Sequence, residues 1–244
     1  VGWARDTRND FFMPTRGTYQ RVSAEITLPG STVEYYKLNY EFSKYWPISP
    51  SLVLNTRAEI GYGDSYGSDI VRTLCTVNPT PPLIPGQSTT NSGAAADGSG
   101  LCGDGAFVSE TLVATGLPFF ENFYAGGVRS VRGFRDNTLG PRSEVGAGFI
   151  GQPLGGAIKT TGSFEMYFPK LFDSNAARIS AFVDFGNVFD ASDSFDAGEL
   201  RGSAGVALLW RAPVGPISIS YAYPLRTKDD DEIERLQFTF GGAF

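Results

Sequence analysis

The 244 residues contain no histidine, only two cysteines and two methionines, and just 19% charged side chains. Without histidine there is no imidazole base for a Ser-His-Asp or Cys-His nucleophile, and no His-ligated metal. Two cysteines alone cannot complete a standard structural zinc site. The longest unbroken hydrophobic run is Val206–Trp210, far short of the ~20 residues of a membrane-spanning helix. Lys and Arg number 20 against 26 Asp and Glu, which argues against nucleic-acid binding, because that depends on neutralising phosphates. The chain opens Val1-Gly2-Trp3-Ala4-Arg5, without Met, a basic n-region or an apolar h-region. It therefore reads as neither an intact precursor nor a signal peptide.

What is plentiful is aromatic and turn-forming residues: 19 Phe, 11 Tyr, 30 Gly and 15 Pro. Period-2 alternation recurs in segments of about ten residues separated by turn chemistry, the pattern of a β-barrel. Thr18–Leu28 sets Val22, Ala24 and Ile26 against Arg21, Ser23 and Glu25, and Glu34–Tyr45 and Leu52–Tyr62 behave alike. Ala157–Phe168, Ala177–Phe185, Gly202–Arg211, Pro216–Tyr223 and Ile233–Phe244 follow. The expectation is an all-β antiparallel fold of eight strands, with Val1–Arg5 as the stub of a ninth. The polar faces (Arg21/Glu25, Lys37/Glu41, Arg57/Glu59, Glu165) suit either a solvent surface or a polar lumen. The apolar faces end in aromatics (Tyr45-Trp46, Tyr62, Phe168, Trp210, Tyr223, Phe244), as the interfacial girdles of a transmembrane barrel do.

The connections alternate short and long. Residues 46–51, 169–175 and 211–215 are tight turns, whereas 28–33, 185–200 and 224–232 are mostly longer and polar. Short turns at one end and long loops at the other are the outer-membrane arrangement. Residues 63–156 exceed any ordinary hairpin loop and form an expected extracellular or lumen loop. Cys75 and Cys102 both lie in it. Either they form a disulfide, worth roughly 3–4 kcal/mol by loop entropy in an oxidising compartment, or they remain free thiols. The run Asp229-Asp230-Asp231-Glu232 lacks cation-loop spacing and reads as a solvated loop tip. Gly126-Gly127 and 202–205 lack the strand–loop–helix setting of a phosphate site. No nucleophile–base pair, metal site or cofactor site is apparent, and no enzymatic activity is expected.

Beyond the cysteine loop the sequence reads Phe119-Phe120-Glu121-Asn122-Phe123-Tyr124-Ala125-Gly126-Gly127 and continues Val128-Arg129-Ser130-Val131-Arg132-Gly133-Phe134-Arg135-Asp136. This run resembles the loop signature of the BamA family of outer-membrane barrel-assembly factors, with Val131-Arg132-Gly133-Phe134 at its centre. Leu28-Pro29-Gly30-Ser31, Glu34-Tyr35-Tyr36-Lys37, Gly61-Tyr62-Gly63-Asp64 and Gly215-Pro216 agree in the same order. The resemblance spans residues 1–244 and implies the C-terminal eight or nine strands of a sixteen-strand transmembrane barrel. A small eight-strand barrel is the alternative if the chain closes alone. No pattern of the family's periplasmic POTRA repeats is present, which fits a piece of a longer protein.

The resemblance also implies roles. The loop enters the lumen and Arg132 contacts acidic residues on the inner wall, which here match Glu165 and Asp184. Alternation places both opposite their apolar neighbours and therefore inward, although ordinary solvated lumen charges would show the same pattern. The end of the chain, with Phe238, Phe240 and Phe244, resembles a terminal β-signal and forms the last strand of the barrel gate. The implied function is the folding and insertion of β-barrel proteins into the Gram-negative outer membrane without ATP. Its implied partners are membrane lipids, unfolded barrel substrates and the lipoproteins of the assembly complex, the last mainly through POTRA repeats. A passive channel or an inactive structural fragment is the competing reading. Two unpaired sheet edges would also allow self-dimerisation.

Overall fold

The computed structural model describes residues 1–31, 33–66, 70–77, 106–114, 117–143, 151–169, 176–190 and 195–241, with backbone alone for 70–77 and 106–114. In chain order the strands are β1 (Gly2–Asp6), β2 (Gly17–Ile26), β3 (Tyr35–Ser49), β4 (Leu52–Ser65), β5 (Ile70–Val77), β6 (Ala106–Ala114) and β7 (Gly133–Phe134). They continue as β8 (Ile158–Phe168), β9 (Ala177–Phe189), β10 (Arg201–Ala212), β11 (Gly215–Arg226), β12 (Ile233–Glu234) and β13 (Leu236–Phe240). Nine of them form one antiparallel sheet in the order β1-β2-β3-β4-β8-β9-β10-β11-β13. β5 and β6 make a separate hairpin in a second compact unit, residues 67–115.

The sheet is apolar outside and polar inside. Exposed large side chains include Leu38, Trp46, Ile60, Phe164, Met166, Val183, Val206, Trp210, Tyr221, Leu236 and Phe238. Their strand neighbours Asn55, Ser163, Glu165, Arg178, Ser180, Asp184, Ser203, Ser220 and Gln237 are buried. A water-soluble sheet has the reverse arrangement. A continuous exposed apolar face over a polar concave one is the pattern of a lipid-facing barrel wall. β2 with 10 residues, β8 with 11 and β10 with 12 match the ~9–11 residues a tilted strand needs to span a bilayer.

Every neighbouring pair in the sheet is antiparallel, so the connections fall alternately at two ends. One end carries the turns 50–51 and 213–214, the other the loops 27–34, 190–200 and 227–235 and the long connection between β4 and β8. At the turn end the β1–β2 connection is longer than a hairpin turn. Asn9 Oδ1 accepts from the backbone of Thr15 and Arg16, at 2.9 and 3.0 Å, and Asp10 Oδ1 accepts from Phe12 and Met13. The folded-back segment then presents its Pro14 carbonyl to buried Arg178, at 3.0 Å.

Two expectations need correction. A small closed barrel is not what the chain forms: nine strands make an open sheet with β1 and β13 at its edges. Nor is the last strand continuous from Ile233. Residues Ile233–Glu234 leave the sheet and pair with Phe134–Gly133, and only Leu236–Phe240 join β11.

Candidate functional site: the lumen motif and the terminal strand

Residues 117–143 and 151–157 lie on the polar, inward face of the sheet and carry their own small core. Phe123, Ala125, Val131, Phe134, Leu139 and Val188 of β9 cluster together, with Val131, Phe134 and Leu139 fully buried. Phe123 sits against the bare backbone of Gly61, where a Cβ would lie 2.5 Å from its ring. The turn before the motif is closed by Ser130, whose Oγ accepts from Gly126 N–H at 2.8 Å and donates to the Gly126 carbonyl at 2.9 Å. Gly133 has φ +92°, a conformation L side chains rarely adopt, and a Cβ there would lie 3.0 Å from the Ala222 methyl. Glycine is therefore required twice over, by backbone angle and by space.

These constraints aim Arg132 at the inner wall. Its Nε donates to Asp184 Oδ2 at 2.7 Å and its Nη2 to Oδ1 at 2.9 Å, a bidentate fork, while its backbone N–H reaches Oδ2 at 3.1 Å. Nη1 and Nη2 also donate to Glu165 at 3.2 and 3.3 Å. The guanidinium stacks 3.4 Å from the Phe182 ring centroid. Ser163 and Ser180 donate to Asp184 and Glu165, at 2.6 and 2.5 Å. The side chains of Arg132, Glu165 and Asp184 are 6%, 8% and 0% exposed. Charges so buried persist only when paired and hydrogen-bonded, as these are. Arg57 of β4, directly opposite Ser163 in the ladder, adds a second positive charge beside the two carboxylates.

The motif is also held from the opposite side. β7 pairs with β12, and Arg135 N–H donates to the Glu232 carbonyl at 2.9 Å. Gln237 of β13 accepts from Gly133 N–H at 3.3 Å and donates to the Phe134 carbonyl at 2.7 Å. At the loop end, Arg135 and Arg142 donate to the Glu232 carboxylate at 2.8 and 3.1 Å. Those hydrogen bonds hold the Glu232 carboxyl below the ordinary carboxylate range. Asp231, expected in a solvated tip, is 1% exposed and pairs with Arg201 at 3.0 Å. The second half of the acidic run is therefore structural, because Arg135 and Arg142 of the lumen segment and Arg201 of β10 hold Glu232 and Asp231, while Asp229 and Asp230 stay exposed as expected.

Of the site residues expected from sequence, the structure brings Val131, Arg132, Gly133, Phe134, Glu165 and Asp184 into one buried cluster. Phe238 and Phe240 lie outward on β13. Phe244 and Cys102 lie outside the described residues, as does the side chain of Cys75, so the cysteine pairing falls there too. Sequence reasoning missed Ser163, Ser180, Gln237, Glu232, Arg135 and Arg142. The inward parity of the first three was readable, but their partners were not.

The Omp85 superfamily domain matches residues 1–244. The chain belongs to the Omp85 superfamily. Among its relatives, the outer membrane protein assembly factor BamA of Neisseria meningitidis is 33% identical over 100% of this chain and 28% of that protein. BamA of Nitratidesulfovibrio vulgaris is 31% identical over 52% of the chain and 16% of that protein. A SAM50-like protein of Drosophila melanogaster is 30% identical over 59% of the chain and 32% of that protein. The crystal structure of Haemophilus ducreyi BamA lacking POTRA domains 1–3 superposes with TM-score 0.70 at 28% identity, over 97% of this chain and 40% of that one. This Omp85 chain thus spans less than half the length of each of these proteins, and its open nine-stranded sheet corresponds to part of a larger barrel.

Proposed function

We propose that this chain is the C-terminal part of the barrel of an outer-membrane assembly factor, and that it folds and inserts β-barrel proteins into the Gram-negative outer membrane without ATP. The reading is supported by relatives named as outer membrane protein assembly factors, one over the whole chain and one over 52% of it, and by one observation above the rest. Among the described residues the ladder of the terminal strand to β11 covers five residues with one further backbone bond at each end, at an open edge, while the residues just before it are drawn onto the lumen motif. In a bilayer an unpaired strand edge has no water to satisfy it. A short, poorly zipped terminal strand therefore offers a ready template for an incoming strand.

On this reading the chemistry is strand pairing, not bond cleavage, and no cofactor takes part. The partners are unfolded barrel substrates and membrane lipids, with lipoproteins engaging chiefly the POTRA repeats. The open edges β1 and β13 are covered by further strands of the same barrel, and self-pairing of the fragment is the alternative. Cross-linked mass in detergent separates these two arrangements. A passive channel is disfavoured by the fully buried Val131, Phe134 and Leu139 filling this part of the concave face. The test is reconstitution of the natural full-length protein into liposomes with an unfolded barrel substrate. Folding faster than in empty liposomes is the expected result, and an unchanged rate removes the insertase reading.

A further inference from the structure

The two edges of β11 are not used alike. Against β10, β11 is paired along its whole length, from Gly215 opposite Ala212 to Arg226 opposite Gly202. Against β13 the ladder covers Ile217–Tyr221, extended by one bond at each end: Gly241 N–H to the Pro216 carbonyl and Ala222 N–H to the Arg235 carbonyl, both at 2.9 Å. Beyond Ala222 it stops, and the reason lies two residues on. Backbone N–H groups alternate between the edges of a strand, so the bond from Ala222 marks the even positions as those facing β13. The next such position is Pro224, which has no N–H to give. The ladder loses a donor just where it would have to continue, and residues 232–234 take other partners.

Those partners are the lumen motif. Ile233–Glu234 pair with Phe134–Gly133, and Gln237 seals the junction. Period-2 alternation sends Leu236 and Phe238 outward, at 65% and 63% exposure, and Gln237 inward, where it is buried. Its amide bonds to both Gly133 N–H and the Phe134 carbonyl, acting as an extra peptide unit for a segment with no further strand beside it.

We propose that Gln237 is the positioning residue that couples the lumen motif to the terminal strand. It holds residues 232–234 on the motif and off β11, so that the edge of β11 from Tyr223 to Arg226 stays open for an incoming strand. Residues 232–234 thereby have two alternative pairings, one with the motif and one with β11. In the second, continuing the observed register, Glu234 faces Tyr223. The purpose of the latch rests on the insertase reading; its existence does not.

The test compares two cysteine pairs in the natural full-length protein, folded in its membrane without substrate. Phe134→Cys with Ile233→Cys reports the latched pairing, and Tyr223→Cys with Glu234→Cys reports the zipped one. Residues opposite in a ladder lie within disulfide reach, and peptide mass spectrometry separates these crosslinks from any at Cys75 or Cys102. Wild type favours the latched crosslink. Gln237→Leu lowers the ratio of latched to zipped crosslink by about tenfold, the effect of two lost main-chain hydrogen bonds. Gln237→Glu, which keeps the acceptor for Gly133 and loses the donor to Phe134, falls between. Pro224→Ala leaves the latch intact, returns the missing donor to β11 and shifts the ratio the same way. If Gln237→Leu does not fold, Gln237→Glu decides the matter: an unchanged ratio there overturns the role of Gln237. An unchanged ratio in a folded Gln237→Leu protein overturns the proposal. A shifted ratio in a protein that fails to accelerate substrate folding keeps the latch and removes only the insertase reading.

Discussion

Two arginine–carboxylate clusters hold the lumen segment to the rest of the chain, and they differ in burial more than in geometry. In the middle of the wall, Arg132 meets Asp184 and Glu165 with every side chain under a tenth exposed. At the loop end, Arg135 and Arg142 meet Glu232 at comparable distances, but the Arg135 side chain is 67% exposed and that of Glu232 26%, with only Arg142 enclosed, at 6%. Solvent reaches the shared carboxylate and weakens the second cluster, whereas the first is enclosed throughout, so losing one member strands its partners in a medium that cannot solvate them. The segment is therefore pinned at its centre and trimmed at its rim.

The sharpest way to break this contrast is Arg132→Ala. Two buried carboxylates then lose their cation, at a cost of about 3–5 kcal/mol. The expected outcome is that residues 117–157 become open to protease in the membrane-embedded protein and that assembly activity falls. Arg132→Lys keeps the charge, loses the planar fork and restores only part of the protection. Protease resistance equal to wild type in Arg132→Ala means the segment is held without this tether, by its apolar core and its contacts with residues 232–237.

The two acids are expected to be unequal. Asp184 accepts three bonds from Arg132, the shortest 2.7 Å, and one from Ser163. Glu165 takes two longer ones from Arg132 and one from Ser180, so the difference lies in the bonds to the cation. Asp184→Asn is expected to cost about 2–3 kcal/mol and Glu165→Gln about 1 kcal/mol, on the scale of hydrogen bonds to charged groups. Denaturant midpoints measured in detergent decide the order, and an inverted order would assign the main tether to β8.

The wall could be read from the sequence because its signal is local. Period 2 fixes which of Phe164, Glu165 and Met166 faces inward, and the same parity places Asp184 and Gln237. The nine strands follow from that alternation and from the turn residues between them. What local pattern cannot supply is the partner of an inward side chain, which depends on how the chain returns. Glu232 and Asp231 stand in a four-acid run that looks solvated until Arg135, Arg142 and Arg201 come back from remote positions to meet them. The terminal strand misled for a similar reason. Its alternation keeps one phase only from Leu236, because Glu234-Arg235 puts two polar residues side by side and Ile233 in the other phase, but the feature that stops the ladder is Pro224, on the neighbouring strand.

Gly133→Ala tests the aim of the central cluster without removing any of its charges. A residue at φ +92° with its new methyl 3.0 Å from that of Ala222 costs about 1–2 kcal/mol in backbone strain. The expected result is a modest fall in thermal midpoint with a larger fall in protease protection of residues 117–157, because strain at the tip misdirects Arg132. Equal and small effects on both measurements would show that the loop re-seats without help from the glycine.

The smallest effect belongs to the rim. Hydrogen bonds from Arg135 and Arg142 lower the Glu232 pKa in the folded chain. The sign follows from the proton count: a carboxylate ionised more readily when folded adds stability above its unfolded pKa, ~4.3 for Glu, and loses it as pH falls through the lower folded value. Acidification below about pH 4.3 is therefore expected to raise amide exchange at Arg135 and Ile233. Glu232→Gln removes that acid-induced change while costing under about 1 kcal/mol at neutral pH, as an exposed ion pair should. If the pH response instead survives Glu232→Gln, Glu232 is not its source, and the rim is held through the pairs of Arg142 with Asp230 and Arg201 with Asp231 rather than through the carboxylate nearest the motif.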